Sequence, residues 1–300
     1  MEPNDLRSRL SAVIAFPITP FKTDLSLDIE GLRANLAKLL EHPVCAIVAP
    51  GGTGEMYSLT PEEHLQVVRT TVEAAQSHVP VIAGVGFGQR LAIKLARSSA
   101  EAGVDGILAF PPYYPQAENE GMLAYYRAIG AATPLGMLIY SRDWVNFGPA
   151  MVERLTAIPT LIAWKDGQGD IRRLQMIINR VGDRLHWIGG AGDDMVPSYY
   201  GIGIRTYTSS IATVAPRLSL KLHELAAAGC HDELERLMHA SVIPLYAMRE
   251  RRRGYEVSTM KALMDMAGMC GGPVRPPLVN VAKEEREELS AILETWKPFL

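Results

Sequence analysis

A closed α/β barrel of the (β/α)8 TIM type, carrying a C-terminal helical appendix, is the fold predicted by three features of this 300-residue sequence. Short apolar runs rich in β-branched residues recur at 13–16, 44–49, 79–85, 106–110, 135–140, 160–164, 185–188 and 202–207. They stand roughly 20 to 35 residues apart, the period of βα units. Segments of helical periodicity separate them, and after about residue 214 the strand signals stop. Eight strand-like runs, each followed by a helix-like segment, close into a barrel. The competing open sheet needs a dinucleotide fingerprint, and Gly84-Val85-Gly86-Phe87-Gly88 lacks the G-x-G-x-x-G spacing. Glycine there reads as close packing at a strand end.

The helix over 61–76 is introduced by Thr60 as N-cap, has Pro61 at its first position, and carries Glu62 and Glu63 where the dipole favours acids. The next, over 89–102, closes on Gly103. Run 160–164 reads as a buried strand, and Asp166-Gly167 marks the turn after it. Beyond the barrel, 217–228, 231–253, 258–266 and 283–296 read as helices separated by Gly229, Gly254 and Gly271-Gly272-Pro273. The expected division is a catalytic barrel over 1–220 and a helical domain over 221–300. The run Arg249-Glu250-Arg251-Arg252-Arg253 reads as a solvated helix end, because cations suit a helix C-terminus.

Composition narrows the function. A hydrophobic fraction of 48% and a charged fraction of 21% are those of a globular protein. A net charge of −3 gives no general attraction to nucleic acid or to an anionic membrane. The opening Met-Glu-Pro-Asn-Asp-Leu-Arg has no apolar signal core, and no apolar run nears the roughly 20 residues of a membrane helix. Cys45, Cys230 and Cys270 form neither a disulfide framework nor a CxxC pair, so the cytoplasm is expected. The seven histidines show no ligand spacing, and no metal site is expected. A Walker loop and a G-x-S-x-G elbow are both missing from the sequence.

In such a barrel the chemistry lies at the C-terminal ends of the strands. Lys165 sits where the sixth strand runs out, and a charge there is costly unless neutralised. Desolvation favours the neutral amine, a nucleophile toward carbonyls. A solvated turn lysine is the plain alternative. At the other strand ends stand Gly51, Gly52 and Thr53, Tyr114, Tyr140 with Arg142, Gly190 with Asp193, and Ser209 with Ser210. Gly51-Gly52-Thr53-Gly54 reads either as a plain turn or as consecutive glycines whose free amides cradle an anion, with Thr53 adding a hydroxyl. A phenol at a strand end shuttles protons, and a guanidinium at a pocket rim is the best partner for a carboxylate. Tyr140 alternatively reads as a core aromatic, Arg142 as a surface residue, and Asp193-Asp194 as an N-cap pair. Whether Ser209 or Ser210 points inward turns on a one-residue register.

Along its whole length, from Phe16-Pro17-Ile18-Thr19-Pro20-Phe21 to the appendix, the chain resembles the dihydrodipicolinate synthase / N-acetylneuraminate lyase superfamily of Schiff-base-forming lyases. Within it the sequence is most similar to the 5-dehydro-4-deoxyglucarate dehydratases. The matching pieces are Gly51-Gly52-Thr53-Gly54-Glu55, Tyr140-Ser141-Arg142-Asp143, Trp164-Lys165-Asp166-Gly167 with Gly169-Asp170-Ile171, and Gly182-Asp183-Arg184-Leu185. The resemblance implies an imine between Lys165 and a 2-oxo acid, with no other cofactor. It implies proton transfer by Tyr140, a carboxylate held by Gly52 and Thr53, and a relay completed by Tyr114 in a neighbouring subunit. The partners implied are a keto-deoxy sugar acid and further copies of the chain, usually a tetramer built from dimers. Three departures stand out. Gly52 replaces a second hydroxyl common in the synthases and lyases, which favours the dehydratase branch. Ser141 replaces the usual dehydratase Asn, and the Asn after strand eight is missing, with Thr213 nearby. Gly192-Asp193-Asp194 looks more like the synthase and lyase pattern. The alternatives are a pyruvate-dependent aldolase or synthase on the same barrel, and a non-catalytic sugar-acid-binding barrel.

Overall fold

The computed structural model describes residues 1–114 and 116–300. Its strands are β1 (Ala12–Ala15), β2 (Ala46–Val48), β3 (Val81–Val85), β4 (Gly106–Ala109), β5 (Gly136–Ser141), β6 (Leu161–Asp166), β7 (His186–Gly189) and β8 (Thr206–Ser209). They form one closed barrel in chain order, sealed by parallel pairing of β1 with β8. Every predicted strand is present. The last begins later than the sequence suggests, because Ile202 and Gly203 still belong to the turn that ends helix Val196–Gly201.

Ile14, Val48, Ile82, Leu108 and Leu138 pack together inside the barrel, while alternate strand residues such as Val13, Ile47 and Ile107 pack under the helices. Leu6 and Leu10, from and just after helix Pro3–Arg9, join the interior cluster. That helix is too short to leave a periodic trace in the sequence.

Helix Pro61–Ala75 starts as its sequence dictates. Thr60 Oγ1 accepts from the Glu63 amide at 3.2 Å, and the Glu63 carboxylate accepts from the Thr60 amide at 3.0 Å. This reciprocal capping satisfies two otherwise orphaned donors.

The decisive irregularity lies in β6. Met137 pairs with Leu161, but Leu138 pairs with Ala163, so Ile162 is one residue extra. Such a bulge resets the in–out alternation of the strand. Ile162 and Ala163 both join the interior cluster, Trp164 turns out under the helices, and Lys165 faces in beside its direct partner Tyr140. Unbroken alternation from Ile162 would have sent the lysine to the outer face. Asp166 is the last strand residue, so Lys165 lies one residue inside the strand rather than in the turn after it.

The appendix is helical, with a break. The helix expected over 231–253 is divided into His231–Leu237, a π turn Met238–Val242, and Ile243–Arg249. Pro244 has no N–H to continue the ladder, and a wider turn absorbs the mismatch. Helices Tyr255–Met266 and Arg286–Trp296 follow. Lys261 and Glu55 form a fully buried ion pair at 2.5 Å, and Lys261 also donates to the Pro273 carbonyl at 2.8 Å. Arg275 grips both Glu63 oxygens at 2.6 and 2.7 Å, and its amide donates to Glu55 at 3.0 Å. Asn35 exchanges two hydrogen bonds with the Cys270 backbone. The appendix is thereby fastened to the loop after β2, where Glu55 is held at a φ of 51° that side chains rarely adopt.

Removing one member of a buried pair strands the other charge. Lys261→Met should lower the unfolding free energy by about 3–5 kcal/mol in urea titration. Adding Glu55→Gln should restore much of it; a double variant no more stable than the single one contradicts the assignment.

Candidate active site

Lys165, Tyr140, Gly52, Thr53, Arg142, Gly190, Asp193, Ser209 and Ser210 line one cavity of about 460 Å3 at the C-terminal mouth of the barrel. This is the size of a small-ligand pocket. Lys165 is 3% exposed, which rules out the solvated turn lysine. Its Nζ donates to the Gly190 carbonyl at 2.9 Å and sits 3.3 Å from the centre of the Tyr140 ring. Among the described residues no carboxylate lies within ion-pair distance of it. Asp166, its neighbour, turns away: its carboxylate accepts from Tyr199 at 2.7 Å and from the Gly169 amide at 3.1 Å. Burial therefore dominates, and the Lys165 amine is pushed down from the ordinary 10.5 to about 8. The nearby phenol pulls the other way without compensating.

Burial alone would raise the Tyr140 phenol, but the charges of Lys165 and Arg142 outweigh it and hold the group below the usual tyrosine range. Its hydroxyl is 3.4 Å from the Gly190 carbonyl and 3.5 Å from Arg142 Nη1. The two groups titrate as a pair, since an amine that has lost its proton no longer favours the phenolate.

Two close approaches make room for this pair. A Cβ on Gly190 would stand 2.6 Å from Lys165 Nζ, and one on Gly167 would stand 2.4 Å from Tyr140 Cε2. Across the mouth, the loop after β2 presents Gly51, Gly52 and Thr53. The amides of Gly52 and Thr53 have no protein acceptor among the described residues. Arg142, half-exposed at the rim, also touches Asp143 at 3.4 Å.

The remaining sequence candidates fall differently. Asp193 is buried, and its oxygens accept from Ser209 and, at 3.2 Å, from Tyr246. Burial raises its carboxyl to about 6 against those hydrogen bonds. The Ser209 hydroxyl also meets Ser219 at 2.8 Å and accepts from the Ala212 amide at 2.9 Å. This hydroxyl is thus fully engaged within the protein, although Ser209 borders the pocket together with Thr208 and Ser210. Tyr114 is 96% exposed and lies outside the cavity of its own chain. Sequence reading missed Phe16, Thr208, Gln168, Tyr246, Arg249 and Glu256, all lining the pocket. For Arg249 it was misleading: the residue is 9% exposed rather than solvated. It ends helix Ile243–Arg249 on the face of Tyr246, three residues back, and its guanidinium lies 4.8 Å from that ring.

Among the described residues, no group of three or more His, Cys, Asp and Glu is arranged to hold a metal ion. No described helix is long and apolar enough to cross a membrane.

Comparison with known proteins matches residues 9–296 to the model of the dihydrodipicolinate synthetase family. A Rhizobium meliloti protein named "Probable 5-dehydro-4-deoxyglucarate dehydratase" is 38% identical, covering 98% of this chain and 99% of that protein. A Bradyrhizobium diazoefficiens protein of the same name is 36% identical, covering 98% and 95%. The crystal structure of dihydrodipicolinate synthase from Oceanobacillus iheyensis superposes with a TM-score of 0.93 at 27% identity, covering 99% of this chain and all of the other.

An amine titrating near pH 8 is about one-tenth neutral at pH 7. Reductive trapping of Lys165 with pyruvate and borohydride should therefore quicken about tenfold from pH 6 to 7 and level off above about 8. A rate still climbing at pH 10 would show an unperturbed lysine. Gly190→Ala, by crowding the amine, should abolish labelling at every pH while circular dichroism stays unchanged.

Proposed function

The chain belongs to the dihydrodipicolinate synthetase family and is a Schiff-base-forming lyase; from that premise we propose that it dehydrates and decarboxylates 5-dehydro-4-deoxyglucarate to 2,5-dioxopentanoate. One observation carries the reading: the amine of Lys165 is buried, paired with no carboxylate among the described residues, and pressed against the ring of Tyr140. Neutral Lys165 attacks the ketone, and water leaves as the imine forms. Tyr140 carries the proton that the departing hydroxyl needs, its own proton being loosened by the Arg142 charge beside it. The amides of Gly52 and Thr53, with the Thr53 hydroxyl, hold the carboxylate next to the ketone. The imine acidifies the adjacent C–H, and proton loss gives an enamine whose electron pair expels the hydroxyl one carbon further on as water. The conjugated imine so formed acidifies the C–H of the remaining carbinol carbon; loss of that proton and protonation of the chain turn this carbon into the second ketone. The carboxylate beside the former ketone then leaves as carbon dioxide, its bond pair is stabilised by the iminium and protonated at that carbon, and hydrolysis releases the aldehyde and returns the lysine.

Lys165 is the covalent partner in this reading, with no further cofactor. Gly51 shapes the cradle, Arg142 guards the rim, and Gly190, Asp193, Ser209 and Ser210 form the wall toward the distal end of the substrate. The barrel of residues 1–220 supplies the chemistry, and the helical domain of 221–300 closes one side of the pocket. Tyr114, turned away from its own cavity, serves the site of a neighbouring copy in a tetramer built from dimers. The enzyme works in the cytoplasm, where its three free cysteines stay reduced.

Incubation with 5-dehydro-4-deoxyglucarate should release carbon dioxide without pyruvate. Pyruvate without carbon dioxide would instead identify the aldolase reading. Tyr140→Phe should keep the pocket but lower kcat by about 10²–10⁴. Equal turnover by Tyr140→Phe and the parent would remove the phenol from the mechanism.

A further inference from the structure

The pocket holds a second buried cation that the chemistry above does not use. Arg249 is nine-tenths buried, yet among the described residues no carboxylate lies within ion-pair distance of it. Its Nη2 donates to the Ser210 hydroxyl at 3.0 Å, and its Nε reaches the Thr259 hydroxyl at 3.4 Å. The Nη1 group has no acceptor among the described residues, and the side chain borders the cavity that contains Lys165. Asp193 and Asp194 feel its charge from beyond ion-pair distance, and the Asp193 oxygens are already engaged by Ser209 and Tyr246. A guanidinium taken out of water without a counter-charge is costly, and its planar fork matches a carboxylate. A hydroxyl beside it, itself held by that guanidinium, supplies one more donor.

The position round the ring is informative. In the strand order β8 lies midway between β6, which carries Lys165, and β2, whose loop carries Gly52 and Thr53. A 2-oxo acid with its first carboxylate on the β2 loop and its carbonyl at Lys165 therefore has its far end free to reach the wall above β8.

We propose that Arg249 and Ser210 form a second anion site, which takes the carboxylate at the far end of a 2-oxo dicarboxylic acid. This rests on the imine reading and narrows its substrate class: diacids are selected over 2-oxo acids that end in an apolar or neutral group.

The test compares 2-oxoadipate with 2-oxohexanoate, which has the same chain length but ends in a methyl group. Lys165 is labelled by each acid with borohydride, and the half-saturating concentration is read by mass spectrometry. The protein as it stands should need at least about tenfold less of the diacid, the value of one charge-assisted hydrogen-bonded contact. Arg249→Met should collapse that preference to about one, and Arg249→Lys should retain part of it. Equal half-saturation in the unaltered protein overturns the proposal, even where the methionine variant fails to fold. So does a preference that survives Arg249→Met. Adipate, which has no carbonyl, separates the two ideas by calorimetry. If neither keto acid labels Lys165, the imine reading falls; adipate binding weakened about tenfold or more by Arg249→Met still upholds the anion site, and adipate binding unchanged by it ends the proposal.

Discussion

Desolvation of a single amine is the constraint around which the pocket is built. Lys165 is excluded from water and, among the described residues, meets no carboxylate within ion-pair distance; a carbonyl stands at 2.9 Å, the Tyr140 ring at 3.3 Å and the Phe16 ring at 5.3 Å. Those contacts tolerate the cation without securing it, so the amine loses its proton near pH 8 rather than 10.5. The cost appears in stability. Below about pH 8 the folded protein must keep the ammonium from water while the unfolded chain hydrates it fully. Stability from this group therefore rises as pH climbs from about 8 toward 10.5, where the unfolded lysine also neutralises. Burying a group at the expense of stability is a common signature of a working site. The β6 bulge is what allows it, by placing Lys165 on the same face as Tyr140.

The appendix then supplies what the barrel lacks. Strand ends bring the amine, the phenol and the cradle, all from residues before 193. Tyr246, Arg249 and Glu256 come from the C-terminal helices and close the far wall. The fastening is not incidental to the cradle. Glu55 follows Gly51-Gly52-Thr53-Gly54 directly, and its carboxylate is shared between Lys261 and the Arg275 amide. A shift of helix Tyr255–Met266 would pull on the loop proposed to hold the first carboxylate. The proposed reaction and recognition groups thus come from different parts of the chain that are mechanically joined.

Much of this was legible in the sequence because it rests on local signals. The strands are apolar runs bounded by glycine and proline, and Thr60 as N-cap with Pro61 and two acids behind it announced its helix. Lys165 was legible less from its own segment, where a solvated turn lysine fits as well, than from the candidate groups gathered at the other strand ends. The bulge was not legible, because Ile162-Ala163 are both apolar and an extra apolar residue changes no pattern. Its consequence, the face on which Lys165 lies, was reached only through the chemistry. Arg249 was hidden by company: four arginines and a glutamate at a helix end look solvated, and Arg251 and its neighbours are. Only the partner face, Tyr246 three residues back with Ser210 across the gap, separates Arg249 from them. The π turn was legible in principle from Pro244, and the inward position of Thr208 depends on register alone.

The two motifs that pulled the sequence reading in opposite directions are not equal once the contacts are known. Asp193, the lyase-like mark, has its oxygens occupied by Ser209 and Tyr246, and Ser209 is in turn held by Ser219. This makes a brace between β8, the loop after β7 and the appendix, which any barrel with this appendix would profit from whatever its substrate. Gly52, the dehydratase-like mark, has no such structural excuse. A Cβ there would meet Phe110 at 3.9 Å and Arg142 at 4.0 Å, both ordinary contacts, so the fold leaves room for a side chain. A position where a hydroxyl fits and none is present bears on chemistry rather than on packing. The absent hydroxyl is therefore the heavier argument, and it favours an enzyme that does not pass protons to Tyr140 through a hydroxyl at position 52.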